Sequence, residues 1–153
     1  MHPVSVRNEA ARRVVGMTHV GAYQDIAGVF EALGPRLAAA GLFAQARAML
    51  GIFHDGPEVP DDRKRSLAGA EVGADVTCPE GLEEERLAGG RYAVTAFKGP
   101  YTGLAAAYEY LYGPWAGQAG ETIRMAPCFE VYLDDPREVP PEELRTDIYV
   151  PLV

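Results

Sequence analysis

The chain has little of what covalent or metal-centred chemistry is usually built from: two cysteines, three histidines and one tryptophan in 153 residues. Cys78 and Cys128 have neither the number nor the spacing of a disulfide framework or a zinc site, and each stands beside a proline, as idle or buried thiols do. His2, His19 and His54 fall on a terminus and two strand-like stretches with no ligand spacing between them, so neither a metal nor a cofactor is expected. Also missing are a Gly-rich phosphate loop, a Gly-x-Ser-x-Gly turn and a paired His/Glu helix motif. Basic residues are outnumbered 14 to 22, a formal charge of -8, which leaves no counterion-release drive toward nucleic acid or anionic lipid. No apolar run has signal-peptide or membrane-span length, which points to a cytoplasmic protein.

What is present is an ordinary globular composition, 48% apolar and 24% charged, in a length suited to a single domain, 1–153, with a real core. The chain also repeats itself. At an offset of 78, Arg13, Gly21, Tyr23, Ala27, Glu31 and Leu33 fall on Arg91, Gly99, Tyr101, Ala105, Glu109 and Leu111. After a one-residue slip, Gly34, Gly41, Asp55 and Pro57 meet Gly113, Gly120, Asp134 and Pro136. A second slip leaves Arg137 extra and pairs Arg65 with Arg145. Both slips fall where loops are expected, so the chain is a duplicated unit, with halves 4–77 and 82–153.

Each half predicts the same elements. Val4 to Arg7 and Arg12 to Val20 alternate as strands, and a helix starts at Tyr23 with Ile26, Ala27, Phe30, Leu33 and Leu37 at helical spacing and Gly41 as its stop. Two more strands follow, Met49 to His54 and Ser66 to Val76. The second copy gives strands near 82–87, 91–98, 127–133 and 144–152, with a helix from Tyr101 to about Ala116. Two such β-β-α-β-β units without a βαβ rhythm predict an α+β fold. Its expected form is a pseudo-two-fold antiparallel sheet with both helices on one face and a ligand groove between the halves.

The copies are not chemically equal. Residues 1–77 hold 8 Lys/Arg and 9 Asp/Glu, whereas 78–153 hold 6 and 13, so a site that attracts cations belongs in the second half. There Glu130 replaces Gly51 in an otherwise apolar strand, with Phe129, Val131 and Leu133 on one strand face and Glu130 and Tyr132 on the other. If the apolar set packs under the helices, Glu130 points into the groove, where a carboxylate must meet a cation, shift its pKa or be bonded by hydroxyls. The alternative is a solvated residue on an open sheet face. Aromatics concentrate in the same copy. Tyr101, Tyr108, Tyr112 and Trp115 form a helical stripe, in which Tyr108 replaces Phe30 and is read as packing. Tyr112 and Trp115, beside Gly113-Pro114, fit core and groove rim equally. Tyr132 shares the Glu130 face, Phe53 is its repeat equivalent, and Tyr149 adds an aromatic where the first copy has Gly69. The ligand-binding set is therefore Glu130, Tyr132, Tyr149, Trp115, Tyr112, Phe53 and Gly51. Glu83-Glu84-Glu85 is read as a solvated edge strand whose charge discourages aggregation.

The run Asp134-Asp135-Pro136-Arg137-Glu138-Val139-Pro140-Pro141-Glu142-Glu143-Leu144-Arg145-Thr146-Asp147 resembles the closing signature of GyrI-like domains. Lys98-Gly99-Pro100-Tyr101, after Gly90-Arg91-Tyr92-Ala93-Val94, is similar to the same family's entry into its second helix. The resemblance implies two pseudo-symmetric units with a ligand groove between them. It also implies that the family's acidic ligand contact, in the strand before the Asp-Asp-Pro turn, is Glu130. Gyrase inhibitors, effector domains of multidrug regulators and stand-alone binders share the pattern. No helix-turn-helix precedes Val4, so direct DNA binding is not carried over.

Three functions follow as expectations. The first is a binder of lipophilic or aromatic, cationic small molecules, held by Glu130 and a ring of Tyr and Trp faces. The second, implied by stand-alone relatives, is a hydrolase of strained cyclopropane-type electrophiles, with Glu130 as general base and Tyr112 or Tyr149 polarising the leaving group. The third is a gyrase-inhibitor-like protein interaction through the acidic half.

Overall fold

The computed structural model describes residues 3–153; Met1 and His2, and with His2 one of the three histidines, lie outside the described residues. In chain order the strands and helices are β1 (Val4–Glu9), β2 (Arg12–Val20), α1 (Ile26–Ala39), β3 (Ala48–Phe53), β4 (Arg65–Val72), β5 (Glu83–Leu87), β6 (Gly90–Lys98), α2 (Leu104–Tyr110), α3 (Ala116–Ala119), β7 (Cys128–Tyr132) and β8 (Arg145–Pro151). A π-helical turn, Leu111–Trp115, joins α2 to α3. All strand pairs within each unit are antiparallel, as an α+β fold without crossover helices requires.

The chain forms two compact units, one of Ala11–Ala88 and one of Met1–Ala10 with Gly89–Val153. They differ from the contiguous halves of the repeat by one strand each. β1 pairs with β6, Val4 opposite Thr95 and Glu9 opposite Gly90, while β5 pairs with β2, Arg12 opposite Leu87. The first strand of each copy thus belongs to the unit built by the other copy.

The unit of Ala11–Ala88 orders its strands β3-β4-β2-β5. α1 lays Ile26, Val29, Phe30, Leu33 and Leu37 on Val15, Ala68, Ala70 and Val72, which is the face its 3.6-residue period made apolar. Its end is a Schellman motif: Gly41 takes φ +70°, its N–H donates to Ala38 O, and Leu42 N–H donates to Leu37 O at 2.9 Å. β5 lies at the edge of this unit as expected, but its acids are not merely solvated. Glu84 pairs with Arg13 at 2.7 Å, and Glu85 with His54 at 3.0 Å.

The other unit orders its strands β1-β6-β8-β7. Leu104, Ala107, Tyr108 and Leu111, spaced i, i+3, i+4 and i+7, pack with Trp115 on Ala93, Phe97, Ile148, Val150 and Leu152. Pro35 of α1 has its equivalent in Pro114, so the proline alone does not make the π turn; the second helix carries one more residue, Tyr112, between Leu111 and Gly113, and takes it up as that turn before stopping at Gly120 with φ +66°. The first slip of the repeat therefore lies within a helix, where a loop was expected.

One clamp recurs in both units. Arg65 donates its backbone N–H to Asp55 Oδ2 at 2.8 Å and its guanidinium to both carboxylate oxygens, and Arg145 treats Asp134 the same way. Asp55 is held down to about 2, chiefly by the Arg65 side chain. The Asp-Asp-Pro run that marks the sequence is therefore a turn lock.

Two glycines of opposite character test this packing. A Cβ on Gly16 would lie 2.1 Å from Ala68 O, whereas one on Gly28 in α1 would meet nothing within 4 Å. Gly16→Ala should cost about 1–3 kcal/mol or more, because backbone must shift. Gly28→Ala should gain about 0.5–1 kcal/mol. Urea midpoints of the two variants moving in the same direction would contradict it.

Candidate functional site

β7 has two faces, and both are buried. Glu130 is opposite Ile148, which α2 covers, so Cys128, Glu130 and Tyr132 form the helix-side row. Phe129 is opposite Tyr149, and the two rings stack at 4.5 Å on the other face, with Tyr92 edge-on at 5.4 and 6.2 Å. This reverses the expected assignment, in which the apolar set lay under the helices. The reason is that burial of both faces leaves no hydropathy contrast by which the strand sequence could tell them apart.

Glu130, 5% exposed, sits beneath α2 with its two oxygens separately capped. Tyr108 Oη donates to Oε2 at 2.7 Å, and Tyr132 Oη donates to Oε1 at 2.8 Å. Burial raises the Glu130 pKa above the ordinary carboxylate value, and the two hydroxyls only partly oppose it. No basic side chain among the described residues contributes. Burial first, and then the Glu130 charge, push Tyr108 and Tyr132 well above the usual phenol range, so both stay protonated as donors.

The flanking aromatics extend the site. Tyr101 meets the Tyr132 ring edge-on at 5.8 Å, and Tyr112 stacks near Tyr108 at 6.3 Å. Tyr112 is 46% exposed, and its hydroxyl, like that of Tyr108, bonds the Cys128 thiol, which burial pushes up to about 11. That thiol packs against the core cluster beneath α2, in line with the buried alternative of the buried or idle thiols the sequence suggested. Cys78 bonds only the Pro79 and Leu82 carbonyls. Thr146, opposite Tyr132, keeps a buried hydroxyl without a partner.

Of the residues expected from sequence, Glu130, Tyr132 and Tyr112 come together, and Trp115 packs in the same cluster beneath the helices. Tyr149 does not join them, because its register puts it with Phe129 on the opposite face. Phe53 and Gly51 belong to the unit of Ala11–Ala88, where Phe53 meets Tyr23 edge-on at 4.8 Å and Gly51 lies opposite Ala68. Tyr108 was expected only to pack, Tyr101 was named only as part of the helical stripe, and Thr146 was not expected at all. A signal for Tyr108 existed: Phe30, Gly51 and Phe53 of the first copy become Tyr108, Glu130 and Tyr132 in the second, so the acid and both its donors appear together.

Residues 2–153 match the model of the GyrI-like small molecule binding domain. A DNA gyrase inhibitor of Enterobacter lignolyticus (strain SCF1) is 29% identical over 136 residues, 86% of this chain and 85% of that one. Among solved structures, SAV2435 bound to tetraphenylphosphonium is similar with a TM-score of 0.70 at 21% identity, covering 99% of this chain and 94% of that one. EcmrR in its DNA complex gives 0.74 at 18% identity; 99% of this chain is covered but only 57% of EcmrR. A hydrolase encoded by lin2189 of Listeria innocua gives 0.75 at 10% identity, covering 99% and 92%. At these identities the solved structures establish the shared fold.

The raised pKa of Glu130 makes a signed prediction. Below about pH 4.5 the carboxyl is protonated folded and unfolded, and its burial costs nothing extra; as pH rises through the elevated folded value, ionisation favours the unfolded chain. Glu130→Gln should therefore raise Tm relative to the unaltered protein at pH 8, and the gap should close toward pH 4. A gap independent of pH would show that the carboxyl is not held above its usual value.

Proposed function

Because this chain belongs to the GyrI-like small molecule binding domain family, we propose that it binds lipophilic, flat or aromatic cations at Glu130, between the tyrosines that surround it. One observation carries the reading: a buried carboxyl capped only by hydroxyls, in the copy of the repeat that alone has the acid and both donors. A desolvated carboxylate lacks the counter-charge its environment demands, so a ligand bringing positive charge gains most from entering. Tyrosine faces add cation–π contacts of roughly 0.5–2 kcal/mol each. Tyr101, Tyr112 and Tyr132 are the walls, with Trp115 behind them, and the unpartnered Thr146 hydroxyl offers a further polar contact. The tetraphenylphosphonium in SAV2435 is a cation of this class on the same fold.

A second reading keeps the same carboxyl. Its raised pKa suits a general base acting on water, Tyr112 would polarise a leaving group, and the Listeria hydrolase shares the fold. The physiological setting, whether multidrug sensing or sequestration, and a gyrase-directed interaction like that of the Enterobacter relative belong to this proposal as alternatives.

Titration calorimetry with tetraphenylphosphonium and a rhodamine distinguishes them. Binding of micromolar order is expected, weakened at least about tenfold in Glu130→Gln, equivalent to about 1.4 kcal/mol. Equal affinity in that variant would remove the carboxyl from the site. Product accumulation from a strained electrophile over hours, lost in Glu130→Gln, would favour the hydrolase.

A further inference from the structure

Glu130 is connected to the surface by groups that both donate and accept hydrogen bonds. Tyr108 Oη is 2.7 Å from the carboxyl, the Tyr108 and Tyr112 hydroxyls both bond Cys128 Sγ, and Tyr112 is 46% exposed. The thiol, held up to about 11 by burial, stays S–H through the neutral range and passes a hydrogen bond on without ionising.

The groups facing Glu130 are accounted for on each element packed against it. α2 supplies Tyr108, β7 itself Cys128 and Tyr132, and the turn after β6 Tyr101. β8 supplies Ile148 and Thr146, neither of which titrates. Asp134 and Asp135 act on Tyr101 and are paired with Arg145 and Arg137. A charge on Glu130 is thus balanced by no cation among the described residues, while hydroxyl and thiol groups lead from it to the exposed Tyr112.

We propose that the Glu130 carboxyl holds a proton while the site is empty and releases it when a cation enters, the proton leaving through Tyr108, Cys128 and Tyr112. This rests on the cation-binding reading above. With the carboxyl protonated the 2.7 Å contact reverses its direction: the acid O–H donates to Tyr108 Oη, which keeps its own hydrogen and turns it to Cys128 Sγ. On binding the carboxyl O–H bond breaks and its electron pair stays on the carboxylate facing the cation; Tyr108 takes that proton as it gives its own to Cys128, the thiol gives its own to Tyr112, and Tyr112 gives its own to water or buffer, so each O–H and S–H bond broken along the route is re-formed and Tyr108 and Tyr132 both donate to the carboxylate. The empty site then contains no buried charge, and a neutral ligand of the same shape releases no proton.

Calorimetry of the full chain with tetraphenylphosphonium chloride, from pH 5 to 8 in two buffers of different ionisation enthalpy, tests this. Release approaching one proton per cation is expected at the acid end, declining as pH rises, with Kd tightening about tenfold per pH unit over the acid limb. The same enthalpy in both buffers, with a Kd that does not move with pH, overturns the proposal and leaves cation binding standing. No binding at any pH overturns the binding reading itself. For the route, stopped-flow with a pH indicator and Trp115 fluorescence should show release coinciding with binding in the unaltered protein and lagging behind it in Tyr112→Phe; coincidence in both overturns the route.

Discussion

An acid group under a helix, with a hydroxyl on each oxygen and no cation among the described residues to balance it, constrains the unit that contains Gly89–Val153. Bare burial of a carboxylate costs several kcal/mol, and hydrogen bonds to a charged group return about 1.5–3 kcal/mol each. The upward pKa shift shows that burial still prevails. The local architecture is arranged around this unfavourable balance: α2 is placed so that Tyr108 reaches down, β7 is in register so that Tyr132 reaches along the strand, and the π turn presents Tyr112 between the thiol and solvent.

The duplication separates what the fold needs from what one copy adds. Features found twice are structural: the Asp55–Arg65 and Asp134–Arg145 clamps, the glycines at φ +70° and +66° that end the helices, and Gly21 and Gly99 donating to the carbonyls of Lys64 and Leu144. Features found once are candidates for function. By that criterion the acidic closing run, the most distinctive stretch of the sequence, is largely a lock, whereas the unobtrusive change from Phe30 to Tyr108 is part of the site.

Much of this was legible beforehand because it is local. Helical spacing, turn residues and the repeat offset identified every strand and both helical regions, and the break of an apolar strand by Glu130 picked out the carboxyl. What failed was non-local. With Phe129, Val131 and Glu130 all buried, alternation divided β7 into two rows but could not say which one α2 covers, and Tyr149 followed the wrong row. Strand partners were hidden for the same reason, since β1 and β5 carry signals for being strands and none for which copy they join.

The exchange of β1 and β5 also orders events in time. A ribosome delivers Ala11–Ala88 as one uninterrupted stretch, able to collect all its contacts before the rest exists. β1 is synthesised before β6 and must wait for it, so its backbone donors and acceptors stay unmatched while some eighty intervening residues emerge. β1 thus leaves the exit tunnel well before its partner strand can secure it, and during that interval it is open to a chaperone or to a neighbouring nascent chain.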